Sequence, residues 1–533
     1  MASGVLGRLG AAGALGPPRF VDETASGGIV HAYDGDFTYF VGGGVAALDC
    51  DDDGDQDLYL AGGAKPAALY RNDSAVGAAL RFSSIADSAT DLGAVVGAYP
   101  LDVDGDGVTD LAVLRLGENV FLRGVGDCRF ERANERFKID GGNDWTTAFS
   151  ATWEGSAALP TMAFGNYLEL DANDEWTGEC LPNELLRPDV SGTSYGPPTA
   201  LTPGWCALSL LFSSWDRSGR RDLRVSNDRH YYGDYSGGGE QLWQMAPGKQ
   251  PRLYTEADGW QTVKVWGMGI ASQDLEGDGY PEIYLTSQGD NRLETLADGP
   301  GQPNYQNIAV SHGAAAGEPF AGGDSLPSTA WHAEFEDVNN DGFMDLYVAK
   351  GNVEAMPDFA ERDPSNLLLG GADRMFTESA EAAGILNFGR ARGAALVDLN
   401  LDGLLDLVQV NRRDNVKVWR NVGAGTAEAP APLGHWLGIQ VADPKRSNRD
   451  AIGAWVAVRV GDRTIQREVT VGGGHAGGQL GPIHVGLGSA ARADVRVTWP
   501  DGEVGPWVPV AADRFVTIDR GELEALPWPS RRP

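Results

Sequence analysis

One nine-residue phrase constrains this chain more than any other feature. It reads Asp-x-Asp/Asn-x-Asp-Gly-x-x-Asp and runs straight into an apolar stretch. Its clearest copy is Asp337-Val338-Asn339-Asn340-Asp341-Gly342-Phe343-Met344-Asp345, followed by Leu346-Tyr347-Val348-Ala349. Side-chain oxygens at positions one, three, five and nine can converge on a hard cation of calcium size. The glycine at position six allows the bend, and a backbone carbonyl at position seven can add an oxygen. An EF-hand loop opens the same way but is longer, ends in glutamate and lies between helices. Strand-like sequence flanks this phrase, so the expected site is EF-like in its ligands and not in its fold.

The phrase repeats. Copies begin at Asp49, Asp102, Asp274, Asp337 and Asp398, and a worn one spans Ser214 to Asp222. The starts are separated by 53, 112, 60, 63 and 61 residues, so the long gap holds two periods. The missing unit falls near 152, where Thr152-Trp153-Glu154-Gly155-Ser156 leads into Leu159–Phe164 without the carboxylates. That makes seven units. Each has a Gly/Ala-rich strand before the phrase, such as Gly42–Leu48 or Arg392–Val397, and short strands after it, such as Ala68–Asn72, Gln241–Trp243 and Val416–Asn421. Four short strands per unit, repeated seven times, predict an all-β fold: a seven-bladed β-propeller over residues 19–425. No unit carries a 12-residue apolar pattern of period 3.6, which excludes a helical solenoid.

From about Gly434 the period stops and a smaller strand-rich segment begins, expected over 426–522, with 523–533 as a tail. It contains Gly434-His435-Trp436-Leu437, Asn448-Arg449-Asp450-Ala451-Ile452-Gly453-Ala454, Gly486-Leu487-Gly488 and Trp499-Pro500-Asp501-Gly502. The repeat resembles the FG-GAP/VCBS repeat, also found in the integrin α-subunit head, and the C-terminal motifs resemble the ASPIC/UnbV domain. A propeller followed by ASPIC/UnbV is the arrangement of the cartilage-acidic-protein family and its bacterial relatives. The resemblance runs from Phe20 to about Asp519; it specifies a fold and assigns no activity.

Five loops are candidate metal sites. Two carry aspartate at all four positions: Asp49, Asp51, Asp53 and Asp57, then Asp102, Asp104, Asp106 and Asp110. Two use asparagine at position three: Asp337, Asn339, Asp341 and Asp345, then Asp398, Asn400, Asp402 and Asp406. The fifth offers Asp274, Glu276, Asp278 and Glu282, whose longer side chains would distort the cage. Oxygen-only donors favour Ca²⁺ over zinc or copper, and four or five structural ions are expected. The worn loop keeps only Asp216 and Asp222 as acids and should be empty.

The formal charge of −33 opposes nucleic acid and anionic membranes, and many of its acids sit inside the phrase. No apolar run of 18 residues occurs, so no membrane span is predicted. Residues 1–18 read as a leader or disordered segment without a convincing apolar core. Cys180 and Cys206 bracket a Pro/Gly-rich insertion and could form one disulfide; four free thiols, with Cys50 and Cys128, is the open alternative.

Other motifs carry less. Gly192-Thr193-Ser194-Tyr195-Gly196 matches a nucleophile elbow by letter but lies in a Pro-rich loop. Gly472–Gly478 contains G-x-G-x-x-G, followed by a strand where a dinucleotide site needs a helix. That loop leaves His475 as the one candidate acid or base, in a pocket expected where the channel mouth meets residues 472–478. Trp331-His332 and Trp266 precede two of the phrases and belong to the innermost strand or its entry. The histidines form no H-E-x-x-H motif and no close pair in sequence. The expected function is that of a calcium-stapled, extracellular or periplasmic binding or scaffold protein for a protein, glycan or small-molecule ligand. The rivals are an enzyme acting on a small molecule, by the UnbV resemblance to natural-product biosynthesis, and a cell-surface adhesion module.

Overall fold

The computed structural model describes residues 15–228 and 238–528. Most of the chain before residue 422 forms seven four-stranded antiparallel sheets, the first of which gains Gly478–Leu480 as a fifth, parallel strand; its helices are single turns. Their innermost strands are Val45–Leu48, Val95–Leu101, Thr146–Thr152, Ala207–Ser213, Ile270–Gln273, Ala330–Glu336 and Arg390–Val397. Each packs beside the innermost strand of the next sheet, and the seventh packs beside the first. These strands are almost wholly buried, so small and apolar residues dominate them, as the Gly/Ala-rich sequence requires. The arrangement is propeller-like.

The last sheet takes its outer strand from the other end of the chain. Phe20–Asp22 pairs antiparallel with Lys417–Asn421, with Val21 opposite Arg420. The ends of the repeat array are thereby fastened by backbone hydrogen bonds.

Every acidic phrase is the hairpin loop between the first and second strands of its sheet. The flanking residues pair directly: Leu48 with Asp57, Leu101 with Asp110, Ser213 with Asp222, Gln273 with Glu282, Glu336 with Asp345 and Val397 with Asp406. In the third sheet Thr152 pairs with Thr161. The same loop length therefore survives there without the carboxylates. All seven loops emerge on one side of the ring.

Beyond residue 434 two further four-stranded sheets stack on each other. One holds His435–Ala442, Ile483–Gly488, Arg514–Asp519 and Leu526–Pro527; the other holds Trp455–Val460, Arg463–Glu468, Arg492–Thr498 and Val508–Ala511. Strand Arg492–Thr498 alternates, burying Ala493, Val495 and Val497 against Val456 and Val458. Their apolar core is continuous with that of the fifth and sixth sheets through Phe335, Leu346 and Val348. Leu526–Pro527 adds an edge strand in the segment expected to be a tail.

This C-terminal unit sits on the side of the ring that carries the acidic loops. Arg467 Nη1 meets Glu336 Oε2 at 2.9 Å, His484 Nε2 meets Asn340 Oδ1 at 2.6 Å, and the Arg217 guanidinium lies 3.8 Å from the Trp455 ring centre. From it, residues 471–480 descend into the channel. Val471 bridges to Ala151, Gly472 to Leu211, Gly474 to Ile270 and Gly477 to Ala98, and Gly478–Leu480 runs parallel to Ala46–Leu48. One segment thus pairs with the innermost strands of five sheets. Glycine is demanded where backbones meet: a Cβ on Gly44 or Gly97 would fall on the Ala476 carbonyl.

Two disulfides are formed. Cys180–Cys206 ties the third sheet's insertion to the start of the fourth sheet. Cys50–Cys128, which the sequence did not single out, links the first acidic loop to the second sheet's outer hairpin.

Candidate metal loops

The loops share one hydrogen-bond scheme, and it follows from their spelling. The position-one carboxylate folds back over the turn. Asp49 accepts the Asp52 and Gly54 amides (2.7 and 3.0 Å), and Asp102 accepts those of Gly105 and Gly107 (2.8 and 2.9 Å). Asp274 accepts from Gly277 and Gly279, Asp337 from Gly342, and Asp398 from Gly403. Position five accepts the amide of position seven, as Asp106, Asp278, Asp341 and Asp402 do from Val108, Tyr280, Phe343 and Leu404. Asp53 does the same from Asp55. Position nine staples two strands: Asp406 accepts Leu399 N–H (3.0 Å) and Asn421 N–H (2.8 Å). Asp57, Asp110 and Asp345 repeat this with Asn72, Gly124 and Gly370. Glu282 accepts Leu275 N–H and the Thr295 hydroxyl instead.

The backbone makes this possible at two points, of which the sequence showed one. Position six is left-handed in all six loops (φ +81° to +102°), the glycine site. Position four is left-handed too, including Asp52, Arg217, Asn340 and Leu401.

The candidate ligands converge. Oxygens of Asp49, Asp51 and Asp53 lie within 4.8 Å of one another, as do those of Asp102, Asp104 and Asp110. Asn339 Nδ2 is 3.3 Å from Asp341 Oδ2, and Asn400 Nδ2 is 3.2 Å from Asp402 Oδ2. The fifth loop is looser: Glu276 turns outward to Arg374 at 3.4 Å, and Gln466 of the C-terminal unit donates to Asp274 Oδ2 at 3.2 Å. In the second loop Arg123 pairs with both Asp104 and Asp106.

Burial of this many acids is costly, and their proton affinities record it. Burial, with the neighbouring Asp53 next, raises Asp49 to about 7. Burial raises Asp57 to about 8, Glu282 to about 7 and Asp402 to about 6. It holds Asp110, Asp337, Asp345, Asp398 and Asp406 well above the carboxylate range. Asp102 is raised to about 7 by burial and then by Asp450 of the C-terminal unit. Asp55, at position seven, was expected to contribute only its carbonyl. Its carboxyl is buried beside Asp53 and raised to about 9.

Five oxygens in these loops are buried without a hydrogen-bond donor: Asp51 Oδ1, Asp55 Oδ1, Gln56 Oε1, Asp104 Oδ1 and Asn400 Oδ1. Such atoms call for a partner. The worn loop meets the same need internally. There the Arg220 guanidinium reaches Asp222 Oδ1 and Oδ2 (2.8 and 3.0 Å) and Asp216 Oδ2 (3.2 Å).

Residues 444–525 match the family model described as ASPIC and UnbV. Over 479 residues the chain is 24% identical to cartilage acidic protein 1 of Mus musculus, covering 86% of this chain and 71% of that protein. It is also similar to a chain from the crystal structure of BBS1N in complex with ARL6DN (TM-score 0.45, 9% identity, 77% of this chain and 99% of that one). Another similar structure is the Dos1 propeller (TM-score 0.34, 10% identity, 77% and 96%).

The expected catalytic pocket takes a different form. His475 is completely enclosed in the channel, its ring 5.2 Å from that of Trp331, with Nε2 accepting Gly42 N–H at 3.1 Å. Burial first, and then Arg392, lowers its pKa to about 3, so the ring is neutral. A cavity of about 160 Å³ does open beside the loop, but His332 and Glu334 line it rather than His475. His332 Nδ1 accepts the backbone N–H of His475 (3.1 Å), and its Nε2 faces Glu334 Oε2 at 3.4 Å. The two histidines, 143 residues apart in sequence, are therefore coupled through the main chain, and both rings hold the inserted segment in place. Ser194 of the elbow-like motif donates to Asp189 Oδ2 at 2.7 Å and sits on no strand-turn-helix.

Proposed function

We propose that this chain is a calcium-binding, seven-bladed β-propeller of FG-GAP/VCBS-like repeats with a docked ASPIC/UnbV-like domain, acting as an exported binding or scaffold protein. The observation that carries the reading is the acidic loops themselves: those at 49–57 and 102–110 each bring three carboxylate oxygens within 4.8 Å of one another, and those at 49–57, 102–110 and 398–406 hold buried oxygens without a donor. A hard divalent cation supplies both the missing charge and the missing partner, and an all-oxygen donor set suits calcium. The loops at 49–57, 102–110, 337–345 and 398–406 would hold it best. The loop at 274–282, with Glu276 committed to Arg374, would hold it more weakly. Bound ions favour the folded state by mass action and stiffen the face on which the C-terminal unit rests.

Two disulfides fit an oxidising compartment outside the cytoplasm. Among the described residues no helix is long and apolar enough to cross a membrane. Recognition falls to the groove between the ring and the C-terminal unit, where two cavities lie. Metal counting by plasma mass spectrometry after gel filtration, paired with thermal unfolding in calcium and in EGTA, tests the reading. Four or five Ca²⁺ per chain and a large calcium-dependent rise in Tm support it. A metal-free protein with an unchanged Tm overturns it.

A further inference from the structure

We infer that the proposed ions of the 337–345 and 398–406 loops latch the ring at its seam, where the two ends of the repeat array meet. This deepens the metal reading above and rests on it. The seam lies beside those loops. Residues 15–19 lead into Phe20–Asp22, the strand that fastens the seventh sheet, and the seventh sheet's loop touches the outer hairpin of the first.

Both loops are gripped from the next sheet at matching atoms. Asn339 Nδ2 donates to the Leu15 carbonyl at 3.2 Å, and Leu15 N–H donates back to Asp341 Oδ2 at 3.1 Å. Asn400 Nδ2 donates to the Ala78 carbonyl at 2.8 Å, and Gly77 N–H donates to the Asn400 carbonyl at 2.8 Å. A second asparagine closes each grip at position two: Asn421 Nδ2 donates to the Val338 carbonyl at 2.9 Å, and Asn72 Nδ2 to that of Leu399 at 2.6 Å. The backbone N–H groups of these same asparagines donate to Asp406 and Asp57, position nine of the following loop. The loops at 337–345, 398–406 and 49–57 are therefore joined in series across the seam. Asn340 Nδ2 also ties the first two directly, donating to the Gly403 carbonyl at 2.9 Å.

The residue at position three follows from this grip. A main-chain carbonyl only accepts, so a carboxylate against it would set two acceptors face to face. An amide donates through Nδ2 and turns Oδ1 the other way. Among the six phrases, asparagine stands at position three in these two alone. Where a guanidinium stands there instead, the residue is an acid: Asp104 meets Arg123 and Arg136, both at 3.0 Å, and Glu276 meets Arg374 at 3.4 Å. Asn400 Oδ1, buried and without a donor, is the atom this position offers an ion. One side chain thus holds the neighbouring sheet with its nitrogen and serves the ion with its oxygen, so order at one end favours order at the other.

The test is hydrogen exchange of the full chain read by mass spectrometry, in calcium and in EGTA, with bound calcium counted on the same samples. Calcium should slow exchange at 15–22 and 77–80 about ten-fold more than in the fourth sheet's strand 222–227, whose loop carries its own arginine. Asn339→Asp and Asn400→Asp keep an oxygen ligand and remove the donor. Each should leave the calcium count unchanged yet abolish the slowing in the segment it grips, 15–22 for the first and 77–80 for the second. The other segment, still slowed, shows that the variant is folded. Ions counted with no calcium effect on exchange at the seam overturn the latch, and so do variants that keep the wild-type slowing. A chain that binds no calcium at all overturns the metal reading itself, so the two failures are distinct.

Discussion

The loops at 214–222 and 398–406 have the same length, the same two left-handed residues and the same place between first and second strands. They solve one electrostatic problem in opposite ways. In the first, Arg220 lies between Asp216 and Asp222 as a covalently attached cation, and Trp215 and Tyr254 (both 2.9 Å) and the Met245 N–H (2.8 Å) also donate to Asp222. In the second, Asp398, Asp402 and Asp406 face one another, and among the described residues no arginine or lysine forms an ion pair with them. Asn400 Oδ1 is left without a partner. The difference teaches that the turn itself does not need a metal; the proposed ions belong to the clusters of carboxylates.

The largest expected effect is removal of calcium. At a hundred-fold excess over Kd each site contributes about 2.7 kcal/mol, so EGTA should lower Tm by well over 10 °C in thermal unfolding. A drop of a degree or two would break the contrast between the loops. Next comes Arg220→Gln, which strands the buried Asp222 and should cost about 3 kcal/mol in urea denaturation, in calcium and EGTA alike. A loss confined to EGTA would mean that a metal already serves this loop.

Asp402→Asn sharpens the comparison by its sign. In EGTA it removes a repelling charge and should stabilise by about 1 kcal/mol; in calcium it removes a ligand and should destabilise by about 1–2 kcal/mol, with one ion fewer per chain. The same sign under both conditions would refute the metal assignment at that loop.

A pH effect separates the loops from the channel. His475 is held at about 3 in the folded state, below its unfolded value near 6.5. Its contribution is therefore complete above pH 6.5 and is lost as pH falls toward 3, at up to about 1.4 kcal/mol per pH unit. The stability of His475→Gln, measured between pH 6.5 and 4.5, should fall less steeply than that of the wild type by about that slope. Parallel curves would show that the ring is not enclosed in solution.

Much of the fold was legible because the phrase is local. Nine consecutive residues fix the turn, its capping amides and the start of the second strand, so even the unit near 152, which lacks the carboxylates, could be placed by spacing, and its Thr152–Thr161 pair has the expected loop length. Within the site, the positions of Asp49 through Asp406 followed from the spelling. Asp55 did not, since its carboxyl occupies a position where the pattern asks only for a carbonyl. Nor did Arg220: the spelling of the worn loop did not single it out, yet its side chain reaches across the turn to Asp216 and Asp222.

By itself, then, the sequence determined the repeat, its hairpins, the acidic loops and the separate C-terminal segment, all of which depend on residues a few positions apart. Only the tertiary structure decided what lies far apart in the chain. Phe20–Asp22 fastens the seventh sheet, Cys50 meets Cys128, and Gly472–Gly478 fills the channel rather than forming a surface turn. His475 lies against His332, and the C-terminal unit covers the acidic face. The reason is that such contacts are chosen by what surface remains to be buried once the local elements exist. A glycine run that is unremarkable as sequence fits the channel because the inner strands approach its backbone so closely that a Cβ on Gly474 or Gly477 would clash, while His475 between them fills a side-chain space.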